Sequence, residues 1–143
     1  MKSPPKMALI VARPGPLRNS LFSLMISLPQ INLVAESKDM TSLLRMGSQI
    51  QPDLVLLETG QPGDDIDWTV RHIRTEWKAS RTVVLVDDSA QQLEAEQAGA
   101  DIVLFKGVRA SYLMGIVEDL LSQDIAERSF LSGEPHMAPT GKI

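Results

Sequence analysis

Charged side chains directly follow several apolar runs of this sequence. Glu58 ends the run PDLVLLE, Lys106 follows DIVLF, and Arg13 follows MALIVA. A carboxylate at the end of a buried run is a candidate reactive group, and nearby basic groups decide whether it could react. The chemistry therefore depends on whether the fold brings these three residues together.

Five short runs rich in Val, Leu and Ile predict five β-strands. The runs are nearly continuous rather than alternating, which is typical of parallel strands covered on both faces. Repeated alternation of strand and helix predicts right-handed crossovers and a three-layer α/β/α fold with a five-stranded parallel sheet. Its predicted strand order is 2-1-3-4-5, the flavodoxin-like order, whose ligand crevice lies at the carboxyl ends of the strands. The predicted strands are residues 7–11, 31–35, 53–57, 82–86 and 101–105.

Apolar side chains at helical spacing predict the helices between these strands. In the fourth helical segment, residues 89–98, Leu93 is the only large apolar anchor, so we expect this helix to be the most loosely held. Asp87 and Asp88 precede that segment and suit its N-cap. The other stripes are Leu17, Leu21, Leu24 and Leu28; Met40, Leu43, Leu44 and Ile50, the weakest; Ile66, Val70, Ile73 and Trp77; and Leu113, Ile116, Val117, Leu120 and Leu121.

The length of 143 residues is that of a single domain. We expect the domain to span residues 7–122, with a disordered N-terminus at 1–6 and the end of the last helix and a disordered tail at 123–143. A net charge of -4 disfavours direct nucleic-acid binding. No apolar run is long enough to cross a membrane. Without cysteine or a secretory signal, a cytoplasmic location is the default.

Three motifs resemble the receiver domain of two-component response regulators. PDLVLLE followed by GQPG is similar to the family's PDLVLLD and Met-Pro-Gly turn; AGAD precedes the fifth predicted strand, and LFK ends it. The resemblance covers roughly residues 7–122. It implies a CheY-like fold and a signalling role in a phosphorelay rather than an enzymatic one. In such domains an aspartate ending the third strand accepts a phosphoryl group beside Mg²⁺.

Most positions that carry this chemistry in the family hold other residue types here. Glutamate is one methylene longer than the aspartate acceptor, and in-line phosphoryl transfer tolerates little misplacement. Only the lysine is retained. The matched positions are Glu58 for the acceptor; Ala12 and Arg13 for the acidic pair that holds Mg²⁺; Val86 for the hydroxyl by matching the strand end, or Val84 by counting back from the lysine; Val103 for the aromatic switch; and Lys106 for the lysine.

The charges at these positions disfavour a metal site. The family's three acids and one lysine sum to -2, whereas Glu58, Arg13 and Lys106 sum to -1 + 1 + 1 = +1. A dication would be repelled from such a site unless Asp87 and Asp88 both turned inward. We therefore predict no metal and no cofactor. We hypothesise instead a fixed cluster in which Arg13 and Lys106 bind Glu58.

The resemblance favours a receiver-like signalling module that is not conventionally phosphorylated and acts through protein contacts. Two alternatives remain: a genuine phosphoacceptor that uses Glu58, and a flavodoxin-like cofactor binder, although the loop ARPGPLRNS is no Gly-rich phosphate cradle. Carried over from the family, the docking face for a protein partner, an output domain or a second copy is formed by the fourth helix, the fifth strand and the fifth helix. It includes Gln91, Glu94, Val103, Tyr112 and Met114.

Overall fold

The computed structural model describes residues 6–39, 42, 45, 49–60 and 63–122. Within these residues, five parallel strands form one sheet of order β2-β1-β3-β4-β5, which confirms the predicted topology. The strands are β1 (Lys6–Val11), β2 (Ile31–Ser37), β3 (Leu54–Glu58), β4 (Arg81–Val86) and β5 (Ile102–Phe105). The described helices are α1 (Pro16–Ile26), α2 (Ile66–Glu76), α3 (Ser89–Ala98) and α4 (Ala110–Ser122). Thus α3 and α4 correspond to the fourth and fifth predicted helices.

Some predicted features lie outside the described residues. Three of the four stripe residues of the second predicted helix, Met40, Leu43 and Leu44, are outside, as are residues 1–5 and the tail at 123–143. The fourth stripe residue, Ile50, is half-buried and packs against the core. Lys6 was expected to precede the first strand but is the first residue of β1.

The core consists of two apolar layers, one on each face of the sheet. Helices α1 and α4 cover one layer, and α2 and α3 cover the other. All residues of β3 and β4 are buried, because these strands lie inside the sheet and are covered on both faces. This double coverage explains why the apolar runs of the sequence do not alternate.

Short polar side chains fix where α2 and α3 begin. Asp65 accepts a hydrogen bond from the backbone N–H of Trp68 at 2.9 Å and caps α2. Asp88 accepts one from the N–H of Gln91 at 2.8 Å and caps α3, as predicted for one of the two aspartates. No helix in the described part of the chain is long and apolar enough to cross a membrane.

The prediction that Leu93 anchors α3 is wrong. Its side chain is 54% exposed, and the residues of α3 that are buried against the sheet are Ala95 and Ala98. The Asp88 cap sets where α3 starts. In this helix Ala95 and Ala98, three residues apart, face inward, while Leu93 points outward. Alanines leave little volume to fill, and α3 therefore packs close to β4 and β5 and beside α2.

Candidate functional site

The three charged residues that follow apolar runs in the sequence lie together at the carboxyl edge of the sheet. Glu58 is the last residue of β3 and is only 5% exposed, since β3 lies between β1 and β4. Arg13 follows β1 by two residues, and Lys106 directly follows β5. Because parallel strands end at the same edge, all three side chains reach one site.

Both carboxylate oxygens of Glu58 have partners. The backbone N–H of Arg13 donates to Oε1 at 3.1 Å, and the guanidinium Nε of Arg13 lies 3.5 Å from Oε2. The ammonium Nζ of Lys106 lies 3.4 Å from the same Oε2. The hypothesised cluster of Arg13, Glu58 and Lys106 is therefore present, and it compensates the burial of the carboxylate.

Lys106 has two further partners that the sequence reading missed. Its Nζ donates to the backbone carbonyl of Thr59 at 2.5 Å and lies 3.2 Å from both carboxylate oxygens of Asp87. Of the two aspartates expected to suit the cap of α3, Asp88 occupies it, and Asp87 is turned toward the lysine. With Asp87 included, the four charged groups sum to zero.

Gln91, which was not assigned to the site from the sequence, contacts both Asp87 and Thr59 there. The Oε1 atom of Gln91 accepts the backbone N–H of Asp87 at 2.8 Å and the hydroxyl of Thr59 at 2.9 Å. Aspartate at the N-cap with glutamine three residues later is the capping-box pattern, a signal that the Gln91 side chain bends back toward the site. Gln91 was instead placed on the docking face.

Gly60 leaves room for Asp87 beside Lys106. Its φ of +104° lies in the left-handed region, which favours glycine. A Cβ at this position would collide with the Asp87 carboxylate and stand 3.2 Å from Nζ of Lys106. Local packing therefore explains the glycine in the turn after PDLVLLE, since any larger residue would push Asp87 out of the site.

Valine stands at the end of β4, where the resemblance implies a hydroxyl. Val86 is the last residue of that strand and is fully buried, as is Ala12, which directly follows β1. Thr59, which follows β3, supplies a buried hydroxyl at this edge. Val103 is 6% exposed and packs in the core layer under α2 and α3.

The predicted docking face is correspondingly smaller than expected. Val103 is buried and cannot contact a partner, which corrects its place on that face. Gln91 uses its side-chain oxygen inside the site. Glu94 is exposed, and Tyr112 and Met114 are half-buried against the layer that α1 and α4 cover.

The donor set does not fit Mg²⁺. Such a hard cation needs several free carboxylate oxygens, but those of Glu58 already face a backbone donor and two cationic groups. Ala12 supplies no ligand, and Arg13 adds a positive charge. Within the described ranges, no three acidic or histidine side chains are grouped closely enough to hold a metal.

A cleft opens beside Glu58, and its lining includes Asp39, Asp64 and Thr69. Asp39 accepts the backbone N–H of Ser42 at 2.9 Å, and this hydrogen bond holds the pKa of its carboxyl below the usual value. Asp39 and Asp64 thus add two acidic residues to the surroundings of Glu58, beyond the four charged groups described above.

Comparisons with known proteins find this architecture in solved structures. No family model and no curated protein matches the sequence. Among solved structures, the signal receiver domain of NarL from Mycobacterium tuberculosis is 25% identical with a TM-score of 0.69, covering 85% of this chain and 100% of that one. A LuxR-family two-component response regulator from Aurantimonas sp. SI85-9A1 is 25% identical with a TM-score of 0.72, covering 83% and 86%. A CheY-like receiver domain protein from Methanospirillum hungatei JF-1 is 15% identical with a TM-score of 0.73, covering 82% and 94%.

The chain has a flavodoxin-like α/β fold, with its candidate site at the carboxyl edge of the parallel sheet. More narrowly, the fold is that of a CheY-like receiver domain of response regulators.

Proposed function

We propose that this protein is a receiver-like signalling module that works without conventional phosphorylation. In this proposal Glu58 occupies the place of the phosphoacceptor, and Arg13 and Lys106 hold it in one fixed state. The module is not an enzyme, and it passes information through contacts with another protein. Its structural neighbours are receiver domains, which supports the signalling role.

One observation carries the proposal: both carboxylate oxygens of Glu58 already have a partner, a backbone N–H on one and two cationic groups on the other. Oε1 accepts the Arg13 N–H, and Oε2 lies 3.5 Å from a guanidinium nitrogen and 3.4 Å from an ammonium nitrogen. A carboxylate so bound is a weak nucleophile, because both cations stabilise its ground-state charge. The attacking oxygen would have to leave these partners before reaching a phosphorus atom.

The charge at the site is also balanced without an added ion. Glu58 and Asp87 contribute two negative charges, and Arg13 and Lys106 contribute two positive charges. In a site that needs a metal, the metal's charge offsets an excess of carboxylates. Here Arg13 supplies a positive charge that is part of the chain rather than a bound ion. The cluster is therefore suited to holding one state.

The partner surface that we propose is the exposed part of α3 and α4. Four acidic residues lie exposed on these two helices: Glu94, Glu96, Glu118 and Asp119. Such a surface suits a basic face on a partner protein, on an output domain or on a second copy.

The decisive experiment is incubation with acetyl phosphate and Mg²⁺, followed by intact-mass measurement. We expect no phosphoryl adduct on the wild-type protein. Glu58→Asp, assayed beside it, tests whether glutamate's extra length alone prevents transfer, and we expect it to stay unmodified because Arg13 remains. A receiver domain with the usual acidic residues, phosphorylated in the same reaction, is the positive control.

A stable adduct on the wild-type protein that disappears in Glu58→Gln would overturn the proposal in favour of a genuine phosphoacceptor. An adduct that persists in Glu58→Gln would lie elsewhere and would leave Glu58 unmodified, as proposed. A colourless preparation with no absorbance from a bound chromophore would argue against the flavin-binding alternative.

A further inference from the structure

Gln91 lies in the first turn of α3, but its side chain does not behave as an ordinary capping residue. In a capping box the residue three positions after the N-cap reaches back to the N–H of the N-cap itself, here Asp88. Instead, Oε1 of Gln91 accepts the N–H of Asp87, one residue further, at 2.8 Å. Gln91 therefore ties down the loop residue whose carboxylate contacts Lys106.

The second hydrogen bond of Gln91 Oε1 is with Thr59, which follows β3. The N–H of Asp87 can only donate, so the Gln91 atom that faces it must be the oxygen. The same oxygen lies 2.9 Å from Oγ1 of Thr59, which must then donate its proton to it. The other acceptor near that hydroxyl, the carbonyl of Leu85, is farther away at 3.1 Å. Gln91 thus links α3 to the end of β3 as well as to Asp87.

These contacts close a ring around the candidate site. Nζ of Lys106 contacts the carboxylate of Asp87 at 3.2 Å and the carbonyl of Thr59 at 2.5 Å. Asp87 and Thr59 both return to Gln91 through the two bonds described above. The ring joins the ends of β3, β4 and β5 to the first turn of α3. Gly60 leaves the space in which the Asp87 carboxylate completes it.

We infer that Gln91 is the positioning residue that couples the Glu58 site to α3. It holds Asp87 on Lys106, so that the charges of the site fix the start of the helix. This inference rests on the proposed signalling role, because α3 carries part of the proposed partner surface. Coupling is reciprocal, so a partner that shifts the first turn of α3 must also loosen Asp87 from Lys106.

Three variants separate coupling from simple helix capping. Gln91→Met keeps a side chain of similar length but removes the acceptor oxygen. Gln91→Glu keeps an oxygen acceptor for both donors. Gln92→Met is the matched control, because the side chain of the neighbouring Gln92 forms a hydrogen bond with Glu96, at 3.4 Å, and none with the site among the described residues.

Two measurements are made on the full chain without added phosphate or metal. One is amide hydrogen exchange at Asp87. The other is the rate at which an amine-specific acylating reagent labels Lys106, relative to the exposed Lys78. Loss of two hydrogen bonds in Gln91→Met is expected to raise both rates by roughly tenfold. Gln91→Glu and Gln92→Met are expected to stay within about twofold of the wild type.

Faster exchange at Asp87 with unchanged labelling of Lys106 would overturn the inference, since the loss of the Gln91–Asp87 hydrogen bond alone would explain it. Equal effects of Gln91→Met and Gln92→Met would overturn it as well. Phosphorylation of Glu58 is read by intact mass in a separate reaction. The proposed function and the coupling can therefore fail independently.

Discussion

Glu58 and Lys106 meet although their strands are not neighbours. Nζ of Lys106 lies 3.4 Å from Oε2 of Glu58, while β4 separates β3 from β5 in the sheet. The lysine therefore reaches over the end of β4, and it contacts Thr59 and Asp87 on the way. One ammonium group thus compensates two carboxylates and a carbonyl at the edge of the sheet.

Replacing Lys106 with methionine should destabilise the fold. Among the described residues, the substitution leaves the almost fully buried Glu58 with only Arg13 as a charged partner, and Arg13 is largely exposed. We expect a loss of about 2 kcal/mol in the free energy of unfolding, below the usual range for fully buried pairs because the Lys106 side chain is 19% exposed. Urea unfolding measures it, and Lys78→Met on the exposed turn after α2 is the control. Equal losses in the two variants would show that Lys106 does not compensate the buried charge.

Much of this site could be predicted because strand ends can be read from sequence. Glu58, Arg13 and Lys106 each follow an apolar run, and parallel strands bring such positions to one edge. Which of two adjacent aspartates caps a helix could not be predicted, because both have the same chemistry. The structure assigns the cap to Asp88 and the lysine contact to Asp87, and that choice depends on where Lys106 reaches.

Leu93 and Val103 show a second limit of sequence reasoning. Leu93 was expected to anchor α3 because it is the only large apolar residue there, but two alanines face the sheet instead. Hydrophobicity gives the tendency of a residue to be buried, whereas the rotation of the helix decides which side is buried. Val103 was placed on a contact face by analogy with a position that is aromatic in the family. A β-branched residue in a covered strand packs into the core instead.

Gly60→Ala should cost more stability than Gly107→Ala. Both glycines have positive φ, +104° and +93°, so alanine is strained at either position by about 1 kcal/mol. At Gly107 a Cβ meets no atom within 4 Å, whereas at Gly60 it collides with the Asp87 carboxylate. We expect Gly60→Ala to lose about 1–2 kcal/mol more in urea unfolding. Adding Asp87→Ala should recover most of the difference, and no recovery would contradict the collision.

Asp39 should contribute a pH-dependent part of the stability. The hydrogen bond from Ser42 lowers the pKa of this carboxyl in the folded protein. A lowered folded pKa means that the stabilisation is present above the ordinary carboxyl pKa of about 3.9 and is lost as the pH falls through the lower value. Asp39→Asn should therefore flatten the stability profile below about pH 4. NMR titration of the Asp39 carboxyl checks the direction, and a pKa at or above the ordinary value would refute the prediction.

Reversing the charge of Arg13 should create a cation site. In Arg13→Asp the four charged groups change from a sum of zero to -2, and a third carboxylate then faces Glu58 and the acidic cleft beside it. We expect saturable Mg²⁺ binding with a dissociation constant of about 1 mM, the weak end of carboxylate sites, whereas the wild-type protein binds none. Backbone NMR shifts of Glu58 and Thr59 follow the titration. Arg71→Asp on α2 carries the same charge change away from the strand ends, so similar binding by both variants would mean that net charge, rather than this site, attracts the ion.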